Sequence, residues 1–360
     1  MPDAGRKTIL IFRTGQLGDT LVAMPAIQAI RTHYPQHRLV LLTDQYGEGV
    51  GMISSWTVLE PTGWFDDVVF YSPSPTMRGK FSNLIHLVRK LKQLRIGRVF
   101  DLSPERTGRQ YWRDRFFFQV LTGIPAYTSS GIFRYPARDA NGILPRLEPE
   151  WKRLVKVVGE GNNTPFSLPI PDKANKEADA LLEQYGLLQD NKLLAVGPGS
   201  KMPAKRWPFA RFVELGKQLR KNFPLLKLMI VGGLEDTELG NSLVAAWDGQ
   251  GYNAAGRLSI YGSAALMKRC SGYVGNDTGS MHLMAMVGKP CVGIFSARDY
   301  PGMWEPYGTG HVILRHETAC ARCMLETCTN EQMKCINEIT VAQVYHAASA
   351  LIEETGPPSQ

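Results

Sequence analysis

Short apolar runs alternate along this chain with longer stretches in which apolar residues recur every three or four positions. In the first half "TILIF" (8–12), "RLVLLTD" (38–44), "DDVVFY" (66–71) and "RVFDL" (98–102) read as strands. Residues 19–34 and 81–95 read as helices, the second with apolar positions at 81, 84, 85, 88, 91 and 94 on one face. From 124 to 172 the periodicity fades into Pro, Gly, Asn and Arg, with one short helix predicted at 149–158 and a linker at 159–175. A second alternation follows, with strands in "KLLAVGPGS", "LKLMIVGG", "YVG" and "PCVGIF" separated by helices, and "VAQVYHAASALIEE" closes it as an amphipathic helix. Strands alternating with helices imply parallel sheets covered on both faces. The expected class is therefore α/β, with two doubly wound, Rossmann-like domains facing each other across a cleft. The predicted boundaries are 1–165, 166–345, and a C-terminal helix and tail at 346–360. In such sheets ligands collect beyond the carboxyl ends of the strands.

Charge changes this picture by setting the two halves apart. The chain has 360 residues and a net charge of +8. Residues 1–160 carry 22 Lys and Arg against 14 Asp and Glu, while the remainder is balanced at 19 against 19. Residues 78–115 alone hold 11 basic and 3 acidic side chains. An anionic partner of the N-terminal half is expected, set against the plainer reading of a solvated basic face. No nucleic-acid module is recognisable and the basic segment lacks a regular aromatic interleave, which argues against nucleic acid. No apolar run approaches the roughly 18 residues of a membrane span. The N-terminal residues lack the apolar region of a secretory signal. A cytoplasmic protein is expected.

Four strand ends carry unusual polar chemistry. In "FRTGQLGDTLVAMP" (12–25), Gly15 and Gly18 permit a tight turn and Asp19 stands where a helix begins. An aspartate there is a helix cap by default and a general base if it reaches a substrate. In "VGPGSKMPAKRWP" (196–208), glycines, Ser200, Lys201, Lys205 and Arg206 suit a phosphate cradle, although the Walker spacing is absent. In "IVGGLEDTEL" (230–239), Glu235 and Asp236 are two candidates for a ribose-binding acid or for a favourable charge at a helix start. In "YVGNDTGSMHLMAMVGKPCVGIF" (273–295), a strand breaks into Asn276, Asp277, Thr278, Gly279, Ser280 and His282 before an apolar helix resumes. Amides opening such a helix are a natural anion site.

The cysteines form a separate signal. Cys320, Cys323, Cys328 and Cys335 fall in the pattern C-x2-C-x4-C-x6-C. Four thiolates suit one tetrahedral zinc or iron ion of structural type, while the spacing departs from paired zinc-ribbon knuckles; reduced thiols or disulfides are the other readings.

The segments "RTGQLGDTLVAMPAIQAIR", "GPGSKMPAKRWPFARF" and "VGNDTGSMHLMAMVGKPCVGIF", in this order and spacing, resemble the hallmark segments of family 9 glycosyltransferases, the heptosyltransferases of lipopolysaccharide core assembly. Residues 45–165 match less well. The resemblance implies a GT-B architecture and inverting, metal-independent transfer from a nucleoside-diphosphate sugar, typically ADP-heptose, to an anionic glycolipid acceptor. It places the base on Asp19 after Gly18, and the phosphate-binding lysine on Lys205 with Ser200 beside it. It places the nucleoside-ribose acid on Glu235, with Asp236 the alternative. Asp277, Thr278, Gly279 and His282 fall on the family's Asp-Thr-Gly-x-x-His segment. Arg13 stands where the family often has lysine, which keeps the charge and changes its geometry. With Arg106, Arg109 and Arg113 of the basic segment it is expected to face the acceptor. The helix at 81–95 is either core or a peripheral contact with an anionic inner leaflet. Two rivals share these features: a transferase for another nucleotide sugar or acceptor, and a non-hydrolysing nucleotide-sugar epimerase.

Overall fold

The computed structural model describes residues 7–45, 53–71, 77–159, 165–190, 192–329 and 331–355. Part of the expected linker, at 160–164, and the tail at 356–360 lie outside the described residues. The chain divides into two compact units, one of residues 1–137 and 150–166, the other of residues 138–149 and 167–360. Residues 138–149, which the sequence assigned to the first half, belong to the second unit. There the Leu147 amide donates to the Pro301 carbonyl at 2.8 Å and Arg138 donates to the Ala321 carbonyl at 3.0 Å.

Five parallel strands form the sheet of unit 1: β1 (Thr8–Phe12), β2 (Arg38–Asp44), β3 (Asp67–Tyr71), β4 (Ile96–Asp101) and β5 (Ala126–Ser129), in the order β3-β2-β1-β4-β5. The connections are α1 (Leu17–His33), α2 (Ser55–Leu59), α3 (Met77–Gln93) and α4 (Gly108–Phe116), which runs on into a π-helical stretch, Phe117–Leu121. A further helix, α5 (Glu150–Val158), packs on α1. Alternate strand residues point to one face, so Leu10, Phe12, Val40, Leu42 and Val69 share a core with Leu91 of α3 and Phe118 of the π-helical stretch.

Unit 2 repeats the plan with six parallel strands: β6 (Leu193–Gly197), β7 (Lys227–Ile230), β8 (Tyr252–Asn253), β9 (Gly272–Asn276), β10 (Cys291–Phe295) and β11 (Val312–Arg315). Their order is β11-β10-β9-β6-β7-β8. Helices α6 (Asp172–Gln184), α7 (Phe209–Asn222), α8 (Thr237–Ala246), α9 (Ile260–Arg269), α10 (Gly279–Met286), α11 (Lys334–Asn337) and α12 (Val341–Thr355) accompany them. The expected C-terminal helix thus begins at Val341. It is part of the unit 2 core rather than a separate element, because Val344, Ala348 and Leu351 pack with Trp207, Phe212 and Trp247. Both sheets reverse strand order beside a central strand, β1 in one and β6 in the other, where their loops part to opposite sides. Among the described residues, no helix is long and apolar enough to cross a membrane.

Candidate functional site

In unit 1 the chain leaves β1 through Arg13 and enters α1 at Leu17, with Gln16 as N-cap. Asp19 is the third residue of the helix, not its cap. Its carboxylate accepts the Gln16 amide at 3.0 Å and so closes a capping box from the far side. Gly15, with φ +121°, is required twice over. A side chain would be strained in that backbone, and its Cβ would stand 2.8 Å from an Asp19 carboxylate oxygen. The Asp19 side chain keeps 32% exposure, so one rim of the carboxylate stays open to solvent. Gly18 sits in the same first turn with ordinary helical backbone.

Arg13 departs from its expected acceptor role. It is fully buried and offers no surface to a substrate. Its guanidinium donates to the carbonyls of Leu102 and Asp19 and lies 3.9 Å from the Asp19 carboxylate, tying the end of β4 to the start of α1. Nearby, Arg153 of α5 grips Glu150 at 2.5 Å and donates to the Ser103 carbonyl at 3.0 Å. Burial, with Glu150 close by, pushes the Glu105 carboxyl up to about 7. Arg106 and Arg113 converge on the buried Asp114 at 3.0 and 2.6 Å. Arg113 remains largely exposed, as does Arg109.

In unit 2 the ends of β6, β9 and β10 build a denser arrangement. Lys205, on a 3-10 turn after β6, donates to Asp277 at 2.6 Å and lies 3.7 Å from Asp299. Arg298 donates to Asp299 at 2.8 Å. Two cations thus meet two carboxylates with little access to water. Burial by itself would lower the Lys205 pKa, but Asp277 and Asp299 together outweigh it and raise it, so the ammonium stays charged throughout the neutral range. His282, in the first turn of α10, places its ring 3.9 Å from the other Asp277 oxygen. Thr278 is the N-cap residue of α10, and Gly279 opens the helix. Ser200 is buried in the β6 loop, where its hydroxyl accepts the Met202 amide at 3.2 Å.

Asn276 accounts for part of this polar junction. Its buried amide donates to the Pro198 carbonyl at 2.7 Å and accepts the Trp207 amide at 3.0 Å. One side chain therefore pins both ends of the loop that carries Ser200 and Lys205. At the end of β7 the two acids separate. Asp236 turns inward against Gly199 and Gly232, accepting the Gly233 amide at 3.1 Å, and burial raises its pKa. Glu235 keeps a half-exposed carboxylate 3.8 Å from Lys201. Of the two, Glu235 is the more exposed.

Sequence reasoning passed over the structural parts of Asn276, Arg298, Asp299 and the Gly15 spacer. Arg298 and Asp299 carried a usable signal, since "FSARDYP" after β10 is a further polar strand end of the kind searched for at the other four.

Cys320, Cys323, Cys328 and Cys335 are not joined in disulfides and line one pocket together with Ala204 and Arg298. Thiolate chemistry suits zinc or iron. As the side chains stand, among the described residues no group of three or more His, Cys, Asp or Glu is arranged to hold a metal ion. The loop does lean on the lysine turn: the Ala204 amide donates to the Glu326 carbonyl at 2.9 Å, and Arg298 donates to the Leu325 and Met324 carbonyls at 2.8 and 2.9 Å.

Comparison with known proteins adds to this geometry. A family model described as glycosyltransferase family 9 (heptosyltransferase) matches residues 157–334. Lipopolysaccharide heptosyltransferase 2 of Salmonella typhimurium is 25% identical over 197 residues, 53% of this chain and 56% of that protein, so the match spans little more than half that relative's length. Lipooligosaccharide heptosyltransferase 2 of Campylobacter jejuni is 25% identical over 348 residues, 94% of this chain and 96% of that one. Among solved structures, a family 9 glycosyl transferase from Veillonella parvula superimposes with a TM-score of 0.71 at 21% identity, covering 97% of each chain. The ADP-heptose lps heptosyltransferase II of E. coli superimposes at 0.64 with 18% identity, covering 96% of this chain and 99% of that one. The fold is of the GT-B type, two parallel-sheet α/β units in one chain.

Proposed function

We propose that this chain, which the glycosyltransferase family 9 model matches over residues 157–334, is a member of that family and an inverting glycosyltransferase that moves a sugar from a nucleoside diphosphate, ADP-heptose before others, onto an anionic lipopolysaccharide-core-type glycan. The observation that carries the reading is the largely buried Lys205, held charged by Asp277 at the mouth of α10. An ammonium has three donors, and a lysine oriented by one carboxylate can direct the others at a departing diphosphate. The Gly279 and Ser280 amides of the helix start and the Ser200 hydroxyl would share that charge. Glu235 would hold the nucleoside ribose.

In this reading the Asp19 carboxylate takes the proton of the acceptor hydroxyl. The acceptor oxygen forms a bond to the anomeric carbon as the carbon–oxygen bond to the diphosphate breaks on the opposite face. The nucleoside diphosphate leaves with that electron pair, and the configuration inverts. Arg109 and Arg113, exposed on the basic unit, suit the acidic groups of the acceptor. The charge on the leaving group is met by this chain's own cations and amides, so the step is proposed to run without a metal.

Incubation with ADP-heptose and a heptose-accepting core saccharide should yield a glycosylated product of inverted anomeric configuration by NMR, at the same rate with and without a chelator. Turnover of donor without acceptor would overturn the reading in favour of an epimerase. A panel of nucleotide sugars scored by thermal stabilisation identifies the donor, because a ligand bound only by the folded state raises its melting point.

A further inference from the structure

The apolar stripe predicted along α3 is only half used. Leu91 is buried and Leu87 and Leu94 pack on the sheet, but Phe81, Leu84 and Ile85 on the same stripe are 66%, 38% and 37% exposed. Every residue from 81 to 86 is exposed, so this end of the helix projects past the core that holds its other end. The neighbouring connection does the same. Trp112, Phe116 and Val120 recur at four-residue spacing and are 57%, 55% and 62% exposed, while Asp114 and Phe118 face inward. Both helices lie on one face of the unit 1 sheet, because Leu87 and Leu91 of α3, Leu94 just after it, and Phe117 and Phe118 after α4 pack into the same cluster. Both also begin at the carboxyl edge of the parallel sheet, the edge at which Asp19 opens α1.

The charges on this layer have one sign. Helix α3 contains no acidic residue, and its described basic side chains include the exposed Arg89 and Lys92. On α4 the lone acid, Asp114, is buried and paired, leaving Arg109 and Arg113 exposed. Arg115 lies over the Trp112 ring at 5.4 Å, a cation beside an aromatic ring with an open face. Protruding aromatic and aliphatic groups in a field of cations without exposed acids match a surface that is oily inside and anionic outside.

We propose that the outer layer formed by α3 and α4 docks on an anionic lipid bilayer, inserting Phe81, Leu84, Trp112 and Phe116 among the headgroups. The proposal deepens the glycolipid-acceptor reading by naming the surface on which that acceptor is met, and it rests on that reading only for its purpose.

The test uses the full chain without donor or acceptor and vesicles of phosphatidylcholine alone or mixed with phosphatidylglycerol. Wild-type protein should sediment with the anionic vesicles and stay in solution with the neutral ones. Binding should fall at least tenfold in Phe81→Ser/Leu84→Ser/Trp112→Ser/Phe116→Ser and weaken in high salt. Equal sedimentation of wild type and variant overturns the proposal. So does a wild-type dimer that the variant dissolves with no vesicle binding by either, which would assign the patch to a second copy. Transfer to a delipidated acceptor should proceed equally in both proteins. Its absence in both would defeat the transferase reading while leaving the vesicle result to stand or fall alone.

Discussion

The carboxyl edges of the two sheets solve opposite problems with the same architecture. At the end of β1 one carboxylate is held by a helix start and a buried arginine yet stays a third exposed. At the ends of β6, β9 and β10, Asp277, Arg298 and Asp299 are buried, Lys205 keeps only 12% of its side chain exposed, and all four are paired. In the proposed reaction Asp19 is the proton acceptor and has to reach a substrate hydroxyl, so burying it would defeat it. A grip for a charged leaving group gains strength from exclusion of water, because fixed charges act further in a low dielectric. The cost of burying those charges is offset by pairing them.

The comparison can be broken most sharply at Asp19. Asp19→Asn should lower kcat by roughly 10²- to 10⁴-fold, the usual yield of a general base. Tm should fall moderately, since an amide oxygen can still accept the Gln16 N–H while the buried Arg13 loses its nearest countercharge. A large fall in Tm with activity retained would make the residue a cap and nothing more.

Lys205→Ala should reduce kcat by about 10²- to 10³-fold. It should also destabilise the fold by about 3 kcal/mol, because buried carboxylates lose their partner. The paired variant Lys205→Ala/Asp277→Asn should recover Tm in thermal unfolding without recovering turnover. Recovery of both would remove Lys205 from the chemistry.

Asn276→Ala tests the frame behind the grip. Its loss should cost about 1–3 kcal/mol through orphaned backbone groups. Misplacing the lysine loop should slow turnover by about ten- to a hundredfold. Its effect should fall on kcat more than on donor KM.

The smallest expected effect lies in unit 1. Glu105 titrates at about 7 in the folded protein against its ordinary 4.5. Between those values the folded state keeps a proton that the unfolded state has lost, so stability falls as pH rises through the window. Glu105→Gln should remove that slope. Its Tm advantage over wild type should be small at pH 5, grow towards pH 7.5, and then level off.

Much of this organisation is legible without coordinates. Strands β1, β2 and β3 and helix α1 lie within two residues of where apolar periodicity puts them; β1, β2 and α1 bury nearly continuous runs, while β3 is apolar over Val68–Tyr71 with Val69 alone buried. β5 and the π-helical stretch were missed, since "AYTS" is half-exposed and "FFQVL" shows no clean period. The apolar stripe of α3 announces a helix but not where its burial stops, because that depends on how far the sheet extends beneath it. Arg13 could not be told from a surface arginine, since its burial depends on a carbonyl 89 residues away.

The sequence by itself determined two parallel α/β units, the strand ends to search, and the residue types that gather there. Those features follow from local periodicity and from loops too polar to be buried without partners. Tertiary structure alone decided which polar groups became scaffold and which stayed accessible. Asn276, Asp236 and Arg13 turned inward, whereas Asp19 and Glu235 kept an open face. The physical reason is that a side chain's exposure and partners are set by elements distant along the chain, packed around it at separations that no local pattern encodes.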